Sequence, residues 1–162
     1  MSFNDRKLTA SECATISGIG GDLQADWRKR GLMEGIGHKH GDARQARVTY
    51  SLEDVLTLWW VGQLPYRDLE WRFRAARNMV VEQIGQETGA KPYCRFFVIF
   101  EDVEGPGASP MFVPSADVNI TLQRHDHLSA RHIQVIDLLN FMDRMPNELI
   151  DGLRSLRAAQ EA

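Results

Sequence analysis

The chain has 162 residues, 43% of them hydrophobic and 25% charged, with a formal net charge of −3. That length suits one ordinary domain or two small ones sharing a core. No window approaches the roughly 18 consecutive apolar residues of a membrane span, the start MSFNDRKLTA lacks an apolar signal core, and Cys13 and Cys94 stand outside any C-x-x-C spacing.

A cytoplasmic protein with reduced, buried thiols and no membrane partner is therefore expected. Charge is unevenly placed: residues 1–50 hold eight Lys/Arg against six Asp/Glu, residues 51–100 six against six, and residues 101–162 five against ten. A polyanion would meet the first third.

In LTASECATISGI (8–19), Thr9 or Ser11 can cap a short helix, and Glu12 follows Thr9 by three as in a capping box. Cys13, Ala14 and Ile16 would face inward, and SGIGG from Ser17 to Gly21 makes a turn. DLQADWRKRGLM reads as a second helix, capped by Asp22, with Leu23 and Trp27 on one face and Gly31 as its stop. Two short helices across a glycine turn make a helix-turn-helix, whose second helix can enter the DNA major groove. Residues 35–49, GIGHKHGDARQARVT, with three glycines and five Lys/Arg/His, suit a loose hairpin acting as a wing. In YSLEDVLTLWW, Ser51 is the expected N-cap with Asp54 three residues on, and Leu52, Val55, Leu56 and Trp59 form one stripe. This tryptophan-bearing third helix would be the floor that the smaller elements cannot supply themselves.

The order of helix, glycine turn, WRKRGL at 27–32, basic wing and YSLEDV at 50–55 resembles the winged helix-turn-helix head of MerR-type transcription regulators and related phage excisionase-like DNA binders. The resemblance covers about the first 65 residues. It implies a homodimer that lays its second helix in the major groove of double-stranded DNA and its wing along the flanking phosphates. LQAD at 23–26 stands where that family has Leu-Arg-Tyr-Tyr, and no metal- or drug-binding tail of the usual kind follows.

On physical grounds Gln24 and Arg28 share a helix face away from Leu23 and Trp27. Gln24 suits adenine, Arg28 guanine and Lys29 phosphate. In the wing, Lys39, Arg44 and Arg47 are candidate phosphate or minor-groove contacts.

Residues 64–89 carry Leu69, Phe73, Ala76, Val80 and Ile84 at helical spacing, with Arg67, Arg72, Arg74 and Arg77 on the polar face, and are expected to pack or to make a dimer contact. Beyond them, YCRFFVIFEDV (93–103) and MFVPSADVNITLQ (111–123) read as strands of an antiparallel sheet. SARHIQVIDLLNFMDRM (129–145) reads as a helix stopped by Pro146, and NELIDGLRSLRAA as a last short one. The expected fold is α+β: a winged helix-turn-helix head over 1–65, a connecting amphipathic helix over 66–89, and a small sheet packed with C-terminal helices over 90–162. That last module would dimerise, sense an effector, or contact RNA polymerase or another protein.

Catalytic chemistry is thin. His125, His127 and His132, or the HKH at 38–40, make a metal site conceivable, but neither has ligand spacing on a helix or a nearby carboxylate and thiol set. GIGG lacks the Lys-Ser/Thr of a phosphate loop. No catalytic residue, metal or cofactor is expected, and the protein is not expected to be an enzyme. A sequence-specific transcription regulator is the leading reading. A phage or mobile-element DNA-binding protein of excisionase or small-terminase kind, and a ligand-binding or adaptor dimer without DNA, are the alternatives.

Overall fold

Thr9 opens the first helix because its hydroxyl accepts from the Glu12 amide at 3.3 Å while the Glu12 carboxylate accepts from the Thr9 amide at 2.8 Å, so two orphan donors are satisfied at once. The computed structural model describes residues 7–41, 47–65, 68–101, 110–126, 130 and 132–159. They fall into two compact units, Met1–Gly89 with Pro146–Ala162, and Ala90–Met145. Helices and two three-stranded antiparallel sheets make the fold α+β.

In the first unit, β1 (Leu8–Thr9) leads into α1 (Ala10–Ser17), which ends where Gly18 turns left-handed at φ 73° and its amide reaches the Ala14 carbonyl. Cys13 and Ile16 point inward as their spacing suggests. Helix α2 (Gly21–Lys29) differs from expectation at its start: Gly20 is the N-cap, and no side chain caps the helix. Asp22 instead lies in the first turn, where a carboxylate complements the helix dipole. Gly31 ends α2, its amide bonding to the Arg28 carbonyl at 3.1 Å and that of Leu32 to the Trp27 carbonyl at 3.0 Å, a Schellman pattern.

The hairpin follows as β2 (His38–His40) and β3 (Arg47–Tyr50), paired antiparallel with His38 opposite Thr49. Strand β1, not expected from the sequence, adds to the other side of β3 with Leu8 opposite Tyr50, giving the order β1-β3-β2. Gly37 admits the hairpin against the sheet: its φ is 74°, and a Cβ there would lie 2.9 Å from both a Tyr50 ring carbon and a Val48 methyl.

Helix α3 (Leu52–Gln63) begins with the Ser51/Asp54 capping box. The expected single stripe widens into burial all round, with Leu58, Trp60 and Val61 as inaccessible as Val55 and Leu56. The reason is that α1 packs on one side, and α4 (Leu69–Glu87) and α7 (Asn147–Ala158) on others. Trp59 and Trp60 meet edge-on at 4.9 Å, and the Trp60 indole donates to Gln83 Oε1 at 2.6 Å. Truncating such a side chain costs about 3 to 5 kcal/mol. Helix α4 starts later than the sequence suggests, at an Asp68 cap that accepts from the Trp71 amide, and buries Phe73, Ala76 and Val80. It is therefore part of the first unit's core, packed along its apolar stripe.

Helix α7 departs from the expected division at residue 90. Leu149 and Leu153 are buried, the helix packs on α3 and α4, and Arg157 reaches Glu87 at 2.9 Å. Residues 146–162 thus belong with the first unit, not with residues 90–145.

The second unit is built on β4 (Phe96–Glu101), with Phe97–Phe100 fully inaccessible, flanked by β5 (Met111–Ser115) and β6 (His132–Asp137) in the order β5-β4-β6. Two expectations fail here. Residues 118–124 form α5 (Val118–Arg124) rather than a strand, because Asp117 accepts from the amides of both Asn119 and Ile120 and starts a helix. Residues 132–137 form β6 rather than a helix, because β4 offers six consecutive partners, from Asp137 opposite Phe96 to His132 opposite Glu101. Asp137 ends the strand: it takes a two-pronged contact from Arg95 and caps α6 (Leu138–Met142).

Candidate nucleic-acid interface

A groove of about 970 Å³ runs between α2 and the hairpin, lined by Ala25, Arg28 and Lys29 on one side and by Lys39, Arg47 and Thr49 on the other. Lys29, Lys39 and Arg47 are all exposed. Three cations expected from the sequence to meet phosphate therefore share one concave surface. Arg44 lies outside the described residues.

The floor of the groove holds a partly buried polar chain that ties α2 to the hairpin. The Tyr50 hydroxyl donates to Gln24 Oε1 at 2.8 Å, Arg28 Nη2 donates back to that hydroxyl at 3.0 Å, and Arg28 Nη1 donates to the Ile36 carbonyl at 3.1 Å. Gln24 Nε2 completes the chain on the Ile19 carbonyl at 2.7 Å. Four segments, the inter-helix turn, α2, the stretch before β2, and β3, are thus held by side-chain hydrogen bonds whose donors and acceptors are matched. Burial pushes the Tyr50 phenol up from its ordinary value, with nearby Arg28 pulling the other way. Burial likewise pushes the Cys13 thiol up to about 12, which makes it a packing group rather than a nucleophile.

This chain corrects the expected facing of α2. Gln24 is 3% exposed and Leu23 is 47% exposed, the reverse of the expected orientation. Trp27 is buried against Phe73, edge-on at 5.4 Å, and the neighbour it brings inward is the residue three before it rather than four before. A glutamine fits there because both ends of its amide find partners. Gln24 is therefore not placed to read adenine. Arg28 is half-buried, and both Nη groups are engaged within the fold, so it braces the hairpin rather than standing free for guanine.

Sequence reasoning missed Tyr50 as the hub of this chain. Its signal was an aromatic hydroxyl directly before a capping box, where one end must pack and the other must find a polar partner. Arg77, expected on the polar face of α4, donates to the Glu34 carbonyl at 2.7 Å and so pins the turn after α2 to α4, a partner the sequence did not indicate.

Histidine geometry is less organised. His38 and His40 are exposed on β2, with His40 Nε2 2.9 Å from Thr49 Oγ1. His125 packs against Phe100 with ring centroids 5.3 Å apart, His132 is exposed, and His127 lies outside the described residues. Among the described residues, no three His, Cys, Asp or Glu side chains gather as a metal set. No described helix is long and apolar enough to cross a membrane. Neither a protein-family model nor a curated protein matches the chain.

Proposed function

We propose that the chain is a sequence-specific, double-stranded DNA-binding transcription regulator of MerR-like type, whose first unit carries a winged helix-turn-helix head. The element order supports this reading: two short helices across a glycine turn, a hairpin, then a buried helix beneath. The observation that carries it is the groove in which Lys29, Lys39 and Arg47 converge from two elements locked together by Gln24, Arg28 and Tyr50. Phosphate neutralisation needs several cations held at a fixed spacing, and a rigid pairing of helix and hairpin provides it. The second unit would serve a dimer or protein contact, a role supported by exposed Ile133, Val135 and Leu139.

Electrophoretic titration on duplex DNA across a range of salt concentrations tests the reading. Lys29→Ala, Lys39→Ala and Arg47→Ala should each weaken binding on all sequences alike and lower the salt slope by about 1. Binding that is absent, or indifferent to salt and to these substitutions, would remove the DNA reading and leave the adaptor reading.

A further inference from the structure

The second helix of a helix-turn-helix presents its first two turns to base edges. In α2 those turns are Gly21 to Trp27, and burial withdraws both the Gln24 amide and the Trp27 indole from them. Asp22, Leu23, Ala25 and Asp26 remain, all exposed. Asp22, Ala25 and Asp26 share one face, with Leu23 on its flank. Lys29, one turn beyond, lines the groove toward the hairpin and belongs with the phosphates.

None of these four side chains can donate a hydrogen bond to a guanine or adenine edge. A carboxylate can only accept; the major groove offers it two amino donors, cytosine N4 and adenine N6, and the N7 acceptor beside N6 repels a carboxylate, so cytosine N4 suits it better. Alanine and leucine can only make apolar contact, and the thymine methyl is the apolar group of that groove. The two carboxylates lie four residues apart on the surface that would approach a polyanion, where they repel phosphate and each other. Arg30 offsets only one of them, at 3.7 Å from Asp26 with both side chains more than half exposed.

We propose that α2 selects its site through pyrimidines: Asp22 and Asp26 accept from cytosine N4, and Ala25 with Leu23 contacts thymine methyls. The proposal rests on the DNA reading above. It gives the acidic face a task, and it assigns specificity to α2 and affinity to the cationic hairpin groove.

Selection from a randomised duplex pool, with the full chain and its Asp26→Asn and Asp22→Asn variants, tests this directly. Both variants are at exposed positions, and a circular dichroism spectrum like that of the wild type would show them folded. Asp22 also complements the helix start, so Asp26 is the sharper probe. The wild type should enrich cytosine at one or more positions and discriminate against its replacement by about 5- to 100-fold. Asp26→Asn should lose that preference at one position while keeping or raising affinity for random duplex, with the salt slope unchanged. Uracil in place of thymine in the selected site should weaken the wild type, and should weaken Leu23→Ala less.

Salt-dependent binding with the same consensus for wild type and both variants would overturn the pyrimidine proposal while leaving the DNA reading in place. So would binding without sequence preference. No salt-dependent duplex binding by the folded wild type would sink both.

Discussion

Tyr50→Phe isolates the polar chain on the floor of the groove, because it removes one oxygen and leaves the ring packing intact. The hydroxyl donates to Gln24 and accepts from Arg28, so its loss orphans an acceptor and a donor together. Gln24 is 3% exposed, and water cannot readily replace its partner; leaving such an acceptor unsatisfied costs about 1 to 3 kcal/mol. Arg28 is half-buried and recovers part of its loss from solvent. A net destabilisation of about 2 kcal/mol follows, or roughly 4 to 8 °C in melting temperature for a chain of this size. Urea titration followed by tryptophan fluorescence measures it.

The double variant with Gln24→Leu should then fall short of the sum of the two single effects, since the Gln24 acceptor that Tyr50→Phe orphans is no longer there and only the Ile19 carbonyl and Arg28 Nη2 lose partners. A Tyr50→Phe protein within about 0.5 kcal/mol of wild type would refute the claim that this chain fastens the hairpin to α2.

Three further outcomes are expected. Gly37→Ala forces a Cβ to within 2.9 Å of Tyr50 and Val48 at a φ of 74°, and should cost about 1 to 3 kcal/mol, read in the same urea titration. Cys13, with its thiol raised to about 12 by burial, should resist a thiol reagent at neutral pH until the chain unfolds; rapid labelling of the native protein would contradict its packing. Arg95 holds the Asp137 carboxyl below its ordinary range, so the stability this carboxylate contributes is present above about pH 4 and is lost as pH falls through the lower folded-state value. Asp137→Asn should flatten that acid limb in urea midpoints measured against pH.

Local chemistry was legible wherever one or two neighbours decide the structure. Thr9 with Glu12, Ser51 with Asp54, and Gly31 after WRKR each announce a helix end, and each stands where the spacing puts it. Facing and partnership were less legible. Leu23 outranks Gln24 on any hydrophobic scale, yet Gln24 is inside, because the nearby Ile19 carbonyl and Tyr50, distant in sequence, satisfy it. The stretch HIQVID satisfies both a strand and a helix pattern, and only the six-residue ladder offered by β4 decides for the strand. The cations of the groove were legible as residue types in order. That Lys29 shares one concavity with Lys39 and Arg47 depends on the contacts of Gln24 and Arg28 with Tyr50, which no local pattern encodes.

The return of α7 to α3 and α4 orders events at the ribosome. Residues 90–145 sit between two stretches of one folding unit, so that unit's hydrophobic interior stays open until Leu149 and Leu153 have been synthesised. The later segment can reach its own native pairing first, inverting the usual amino-terminal-first sequence. A chain arrested near residue 145 would carry every cation of the groove and still lack the helix that closes the core beneath it.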